Sequence, residues 1–265
     1  MRRSHEKEMM DFPDNPKEVL AGELRNLRIL NRYLGGYRSV LSGLDRLVGG
    51  GKLKRFSLLD VGTGGGDIPA RITNWAQQRG IKASIVALEP EPITARVAAI
   101  LTQDQTNLPF IPVWQRLPSA VIPAEAGIQC ENEGHFRRCG ISVVRGDGNA
   151  PPFRAASFDF VLASQLLHHF SEERIIALLR TWSKLARKAI IISDLVRHPV
   201  AYCGIRLVTK LFTRNVMTLT DAPLSVQRAF TMAEWDELFR RAEIGPVQLF
   251  SVFPYRVMAL VSPKR

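Results

Sequence analysis

The acids and glycines of LLDVGTGGGDIP (58–69) are the residues of this 265-residue chain best placed to do chemistry. Asp60 closes a short apolar run, and Gly62, Gly64 and Gly66 fall at alternate positions before an expected helix. Glycines in such a turn let backbone N–H groups approach a ligand and supply positive φ where the turn requires it. The dinucleotide fingerprint G-x-G-x-x-G fails here. Its third glycine would be Asp67 counted from Gly62, or Pro69 counted from Gly64. Asp60 and Asp67 would repel a pyrophosphate and attract a cationic ligand. Glu89 ends a second apolar run, 23 residues after Gly66, where an acid can accept both hydroxyls of a ribose. Asp147, in GDGNAPPF after a third run, could accept from an adenine amino group. Any one of these acids alone could be a helix cap or turn residue, and it is their joint placement that points to a ligand.

A second group follows two later apolar runs. His168 and His169 leave FDFVLAS (158–164), and Asp194, Arg197 and His198 leave KAIIISDL (188–195). A histidine there has the pKa of a general base near neutrality. The alternative is that the LHH turn packs and hydrogen-bonds to hold a loop. Asp194 could orient a substrate hydroxyl or start the next helix. The segment PVAYCGIRLVTKLFT (199–213) mixes Ile205, Val208, Leu211 and Phe212 with Arg206 and Lys210. It is either a lid for an apolar acceptor, able to rest on acidic lipid head groups, or an amphipathic surface helix. NRYLGG near the N-terminus could close over the ligand or simply break a helix.

The elements that must carry these residues alternate. Leucine spacing predicts helix over 17–48, interrupted at Gly35-Gly36, as a helical N-terminal extension of residues 1–50 ahead of a domain at 51–265. Strands are predicted at 56–61, 83–89, 141–147, 158–164 and 188–195, with helices at 67–79, 91–101, 172–187, 199–213 and 231–242. VQLFSVF and YRVMALV predict a closing hairpin around Pro254. The fold class is therefore α/β: a Rossmann-like, doubly wound, seven-stranded and mostly parallel sheet with an antiparallel strand at one edge. Its acids would meet in the crevice at the carboxyl ends of neighbouring strands.

At these positions the chain resembles a known family. DVGTGGG (60–66) is similar to the first motif of class I S-adenosylmethionine-dependent methyltransferases. Glu89 stands where that family holds the ribose, and Gly146-Asp147 where it meets the adenine. SFDFVLASQLLHHF (157–170) resembles the family's fourth strand and exit, above all in the branch of the ubiquinone and menaquinone methyltransferases. The resemblance runs from about residue 54 to 262. It implies S-adenosyl-L-methionine as cofactor, bound by Asp60, Gly62, Gly64, Gly66, Glu89, Asp147 and Gln165, with His168 or Asp194 as catalytic candidates. A narrower resemblance rests on NRYLGGYRSVL, IIISDLVRHPVAY and DAPLSVQRAFT, which look like methyltransferases encoded beside type III polyketide synthases. It implies a small phenolic, polyketide-derived or lipid-like acceptor, methylated at oxygen or carbon.

Lysine and arginine exceed aspartate and glutamate by 36 − 25 = 11, which favours anionic partners. RNA methylation is thus a rival function. The N/D-P-P-Y/F motif of base amino-group methylation is missing, since ASQLLHH stands in its place, and no Pro-Cys pair supplies a thiolate. A non-catalytic scaffold would show a decayed donor site, whereas Asp60, Gly62, Gly64, Glu89 and Asp147 are all present. No transmembrane segment or secretory leader is expected, and three cysteines fit a reducing cytoplasm. One stretch stands apart. AVIPAEAGIQCENEGHFRRCG (120–140) holds Cys130, His135 and Cys139, but this spacing lacks a fourth ligand, and no metal site is expected. VIPAEAGIQ (121–129) resembles peptides encoded when an interspersed bacterial repeat element lands inside a gene, so about 115–140 is expected to form an inserted surface loop.

Overall fold

The computed structural model describes residues 1–12, 15–49, 53–103 and 140–264. The expected inserted loop, its Cys130, His135 and Cys139, and the strand-like NLPFIPVW lie outside the described residues.

Seven strands form one sheet: β1 (Arg55–Val61), β2 (Lys82–Glu89), β3 (Gly140–Arg145), β4 (Phe158–Ser164), β5 (Ala186–Leu195), β6 (Val247–Val252) and β7 (Arg256–Val261). Their order is β3-β2-β1-β4-β5-β7-β6, with β1 to β5 parallel and β7 antiparallel to both its neighbours. The expected Rossmann-like architecture is what the chain adopts. Strand progression reverses between β1 and β4, so the crevice of an open α/β sheet falls there.

Side-chain alternation along the strands separates two cores. Leu59, Val61, Val161, Ile190 and Ile192 point to one face, where α5 (Glu172–Leu185) and α8 (Met232–Ala242) cover them with Trp182, Trp235 and Phe239. Phe56, Leu58, Phe160, Leu162, Ala189 and Ile191 point to the other. There α2 (Gly36–Val48), α3 (Asp67–Gln78) and α4 (Pro92–Gln103) supply Val40, Leu44, Ile72, Trp75 and Ala98. Strands buried on both faces explain their near-continuous apolar runs.

The expected 17–48 helix is two helices. α1 (Lys17–Tyr33) ends where Gly35 takes φ 78°, and α2 begins at Gly36. α2 is a wall of the sheet, pinned by a 2.8 Å bond between the hydroxyls of Ser39 and Ser193. The helix expected at 199–213 is α6 (Pro199–Phe212). One helix goes beyond the expectations: α7 (Val216–Arg228), which carries Pro223 inside it. Thr218, Thr220 and Pro223 weaken its helical pattern, and packing against α1 and α6 through Ala222 and Val226 overrides them. No described helix is long and apolar enough to cross a membrane.

Candidate functional site

The glycine turn follows β1 directly. Gly62, Gly64 and Gly66 have φ of 68°, 55° and 73°, all in the left-handed region that a Cβ disfavours. At Gly62 the need is doubled, because a Cβ there would stand 2.8 Å from Leu166. The turn is tied to β2 by the Gly62 and Thr63 N–H groups, both of which donate to the Leu88 carbonyl, at 2.9 and 3.2 Å.

Two buried carboxyl groups face this turn. Asp60 accepts from the Thr63 hydroxyl at 2.7 Å. Burial raises its pKa to about 7, the Thr63 hydroxyl pulls it down, and Asp67 and Glu89 push it further up. Glu89 accepts from the N–H of Gly64 at 2.9 Å and of Glu91 at 3.2 Å. Burial raises it as well, to about 7, against the pull of those N–H groups. Both are the response of carboxylates held out of water without a cation beside them.

α1 roofs the turn. Leu24 packs on Gly65, and Asn31 donates to Asp67 at 3.1 Å. Gln165, at positive φ just beyond β4, donates to Asn31 at 2.5 Å and accepts from Arg256 at 3.3 Å. Arg256 is almost fully buried and also donates to the Leu34 carbonyl at 2.6 Å. Its Nη1 and the Ser164 hydroxyl have no partner among the described residues, and both residues line the same cavity.

That cavity measures 1010 Å³. Asp60, Gly62, Gly64, Glu89 and Gln165 form one end. Leu20, Leu27 and Leu30 of α1, Ile205 and Val208 of α6, and Val226 of α7 form an apolar wall. α6 therefore lies against the cavity, where the lid expectation put it, with Leu207 and Leu211 turned outward.

Not every expected ligand-binding residue is there. Gly66 lies behind the wall, where a Cβ would stand 2.9 Å from Thr102. Asp147 is exposed on the turn after β3, away from the cavity lining. It accepts from the backbone and side chain of Asn149 at 2.9 and 2.5 Å, a turn-capping role.

The catalytic candidates are arranged differently from expectation. Asp194 is buried and does not line the cavity. One of its oxygens accepts from the Leu167 N–H at 3.0 Å, while the other meets His168 Nδ1 at 2.7 Å and the Leu195 N–H at 2.7 Å. Nor does it start a helix, since α6 is capped by His198. His168 does line the cavity but is only 3% exposed. Burial opposes its charge, yet Asp194 and Glu8 outweigh burial and raise its pKa to about 9. Its Nδ1 is taken by Asp194 and its Nε2 faces Glu8, so the alternative reading, in which the LHH turn is held by hydrogen bonds, describes its surroundings.

Beside it, His169 Nδ1 meets Asp11 at 2.8 Å. Glu8, almost fully buried, has one carboxylate oxygen 3.6 Å from His168 Nε2 and the other 3.8 Å from His169 Nε2. Arg228 fastens the group, donating to the His169 carbonyl at 2.7 Å, the His168 carbonyl at 3.3 Å and Asp11 at 2.8 Å. A further buried acid, Glu23, accepts from Thr218 and lines the apolar part of the cavity. Burial raises its pKa to about 7. Sequence reasoning missed Glu8, Asp11, Glu23, Asn31, Arg228 and Arg256. Asn31 and Arg228 lie in NRYLGGYRSVL and DAPLSVQRAFT but were given no role there, the other four belong to no motif, and Glu8 and Asp11 reach the histidines from about 160 residues away.

A sequence family described as a methyltransferase domain matches residues 118–191, under half of the chain. No curated protein matches significantly in sequence. Solved structures of similar fold include human N-acetylserotonin methyltransferase in complex with SAM (15% identity, TM-score 0.57, covering 94% of this chain and 57% of that one). An O-methyltransferase family 2 protein from Planctomyces limnophilus in complex with apigenin matches at 16% identity and TM-score 0.59, covering 95% and 62%. The plantazolicin methyltransferase BamL, bound to a triazolic desmethyl analogue and SAH, matches at 12% identity and TM-score 0.61, covering 94% and 98%. The chain thus spans about three fifths of the length of the first two. At these identities the likeness is one of fold.

Proposed function

We propose that this chain is an S-adenosylmethionine-dependent methyltransferase that transfers a methyl group to an oxygen or carbon of a small, largely apolar acceptor. The observation that carries the reading is the joint placement of Asp60, Gly62, Gly64 and Glu89 on one cavity at the carboxyl ends of adjacent strands. Two buried carboxyl groups with raised pKa values suit a cationic ligand, whose charge returns the stabilisation that burial removed. Glu89 would take the ribose hydroxyls. The unpartnered Nη1 of Arg256 would take the donor's carboxylate, with Gln165 beside it. Asp147 would approach the adenine only by leaving its turn, and its share in binding is the weakest part of the expected donor set.

Transfer from a sulfonium is an in-line displacement, so alignment and water exclusion supply most of the rate. α1 provides both, by roofing the turn with Leu24 and Asn31. The wall of Leu20, Leu27, Leu30, Ile205 and Val226 suits an aromatic or polyketide-derived acceptor better than the phosphate backbone of RNA. Small molecules are also what the structurally similar proteins bound to apigenin and to a plantazolicin analogue hold.

The test is calorimetric titration with S-adenosylhomocysteine of the wild type and of the Asp60→Ala and Glu89→Ala variants. Saturable wild-type binding, weakened about 10- to 100-fold in each variant as for a hydrogen bond to a charged group, is expected. A folded wild type that does not bind would overturn the reading.

A further inference from the structure

We propose that Glu8, His168 and His169 form a binding site for a divalent first-row transition-metal ion on the wall of the cavity. One carboxylate oxygen of Glu8 and one ring nitrogen from each histidine lie within 4.8 Å of one another. A tetrahedral ion with metal–ligand distances near 2.0–2.1 Å would need them about 3.3 Å apart. His168 Nε2 stands 3.6 Å from one Glu8 oxygen and His169 Nε2 3.8 Å from the other, so an ion between them needs a rotation of the Glu8 carboxylate and small ring adjustments.

Three observations separate this cluster from an ordinary buried ion-pair network. The first is orientation. Each imidazole has its Nδ1 engaged by a carboxylate, His168 by Asp194 at 2.7 Å and His169 by Asp11 at 2.8 Å, which turns both Nε2 atoms towards Glu8. Carboxylates in that position fix the tautomer and aim a metal-binding nitrogen. The second is the pair of unpaired atoms. His168 Nε2 and Glu8 Oε1 are buried, and neither has a hydrogen-bond partner among the described residues. Their 3.6 Å separation is too long for a hydrogen bond, and two such polar atoms left facing each other are costly unless something sits between them. The third is charge. The groups at ion-pair distance in the cluster, besides the two histidines, are Glu8, Asp11, Asp194 and Arg228. Once the imidazoles have given up any protons on binding, an excess of two negative charges remains, which a divalent ion balances. Arg228 does not compete for the position, since its Nε stands 3.8 Å from Glu8 and its other nitrogens are spent on Asp11 and backbone carbonyls.

Two imidazoles and one carboxylate leave at least one coordination position open, and all three residues line the cavity. Resting on the methyltransferase reading, the site assigns the acceptor class: a hydroxyl compound whose oxygen takes the open position. Bound there, the hydroxyl is acidified and loses its proton to solvent. An oxygen lone pair then forms the O–CH3 bond as the C–S bond of the sulfonium breaks, its electron pair staying on sulfur to leave a neutral thioether. No protein base is required.

Full-length protein freed of metal with a chelator would be titrated with Zn2+ by calorimetry and with Co2+ by visible absorption. S-adenosylhomocysteine binding would be measured on the same samples. One equivalent of metal with the absorption of low-coordinate Co2+ is expected, weakened at least tenfold in Glu8→Gln and in His169→Gln, both checked for folding by circular dichroism. A folded wild type that takes up no metal overturns the site, as does metal binding that neither variant weakens. S-adenosylhomocysteine binding without metal binding overturns the metal site and leaves the donor reading standing. Metal binding without S-adenosylhomocysteine binding supports the site and removes only the donor reading.

Discussion

Asp60 and Glu89 keep protons that an exposed carboxyl would have lost, and this couples stability to pH. Unfolded, Asp60 titrates near 3.8; folded, it titrates at about 7. Between these values the folded state binds more protons than the unfolded state, so stability falls as pH rises from about 4 to about 7 and is level beyond. Glu89 adds a change of the same sign between 4.5 and about 7. Asn in place of Asp60 keeps an acceptor for the Thr63 hydroxyl without the titration. Asp60→Asn is therefore expected to melt several degrees above the wild type at pH 8, with the gap closing towards pH 4, as followed by differential scanning fluorimetry without ligand. The same variant should bind a cationic donor more weakly. Asp194 shows the opposite behaviour: burial would raise it, but His168 and its backbone N–H partners hold it below the usual carboxylate range. Its contribution to the site runs through the position of His168.

At the scale of elements, α7 is the post on which the N-terminal segment hangs. Asp221 accepts from the N–H groups of Met9 and Met10 at 2.8 and 3.0 Å, and Thr218 donates to Glu23 of α1. Arg228 bonds the Glu6 carbonyl at 2.9 Å and Asp11 at 2.8 Å as well as the two histidine carbonyls. Removing it takes from Asp11 its arginine partner and from the Glu6 and His169 carbonyls a hydrogen-bond donor. Loss of one member of a buried ion pair costs about 3–5 kcal/mol. Arg228→Ala is expected to lower the melting temperature by that equivalent and to open residues 1–12 to limited proteolysis. An unchanged digestion pattern would refute the role given to α7.

Across the whole molecule, the N-terminal fifty residues divide into a cover and a structural part. The first twelve residues and α1 close the cavity, whereas α2 buries Val40, Leu44 and Val48 against β5 and β7. Deleting 1–12 should leave a soluble protein with native far-ultraviolet circular dichroism and one thermal transition. Deleting 1–50 uncovers one face of the sheet, and that variant is expected to be insoluble or to lose cooperative melting. Equal solubility of the two would contradict the division.

The sequence by itself determined the sheet. Short apolar runs, most of them closed by an acid, can be satisfied only by strands buried on both faces, and Asp60 and Glu89 then meet at strand ends because β1 and β2 pair in register. The left-handed turn at Gly62 and Gly64 was legible for the same local reason, since glycine alone takes that backbone without strain. What depends on contacts between distant segments was not legible. Pro223 hid α7, whose helical state is decided by packing on α1 and α6. Asp147 has the right place in the chain but turns outward, because Asn149 satisfies it locally. The partners of His168 and His169 come from Glu8 and Asp11, about 160 residues earlier, and from Asp194 on the next strand. Whether a histidine is an open base or a buried ligand is set by what is folded against it. Only the tertiary structure brings Glu8 there.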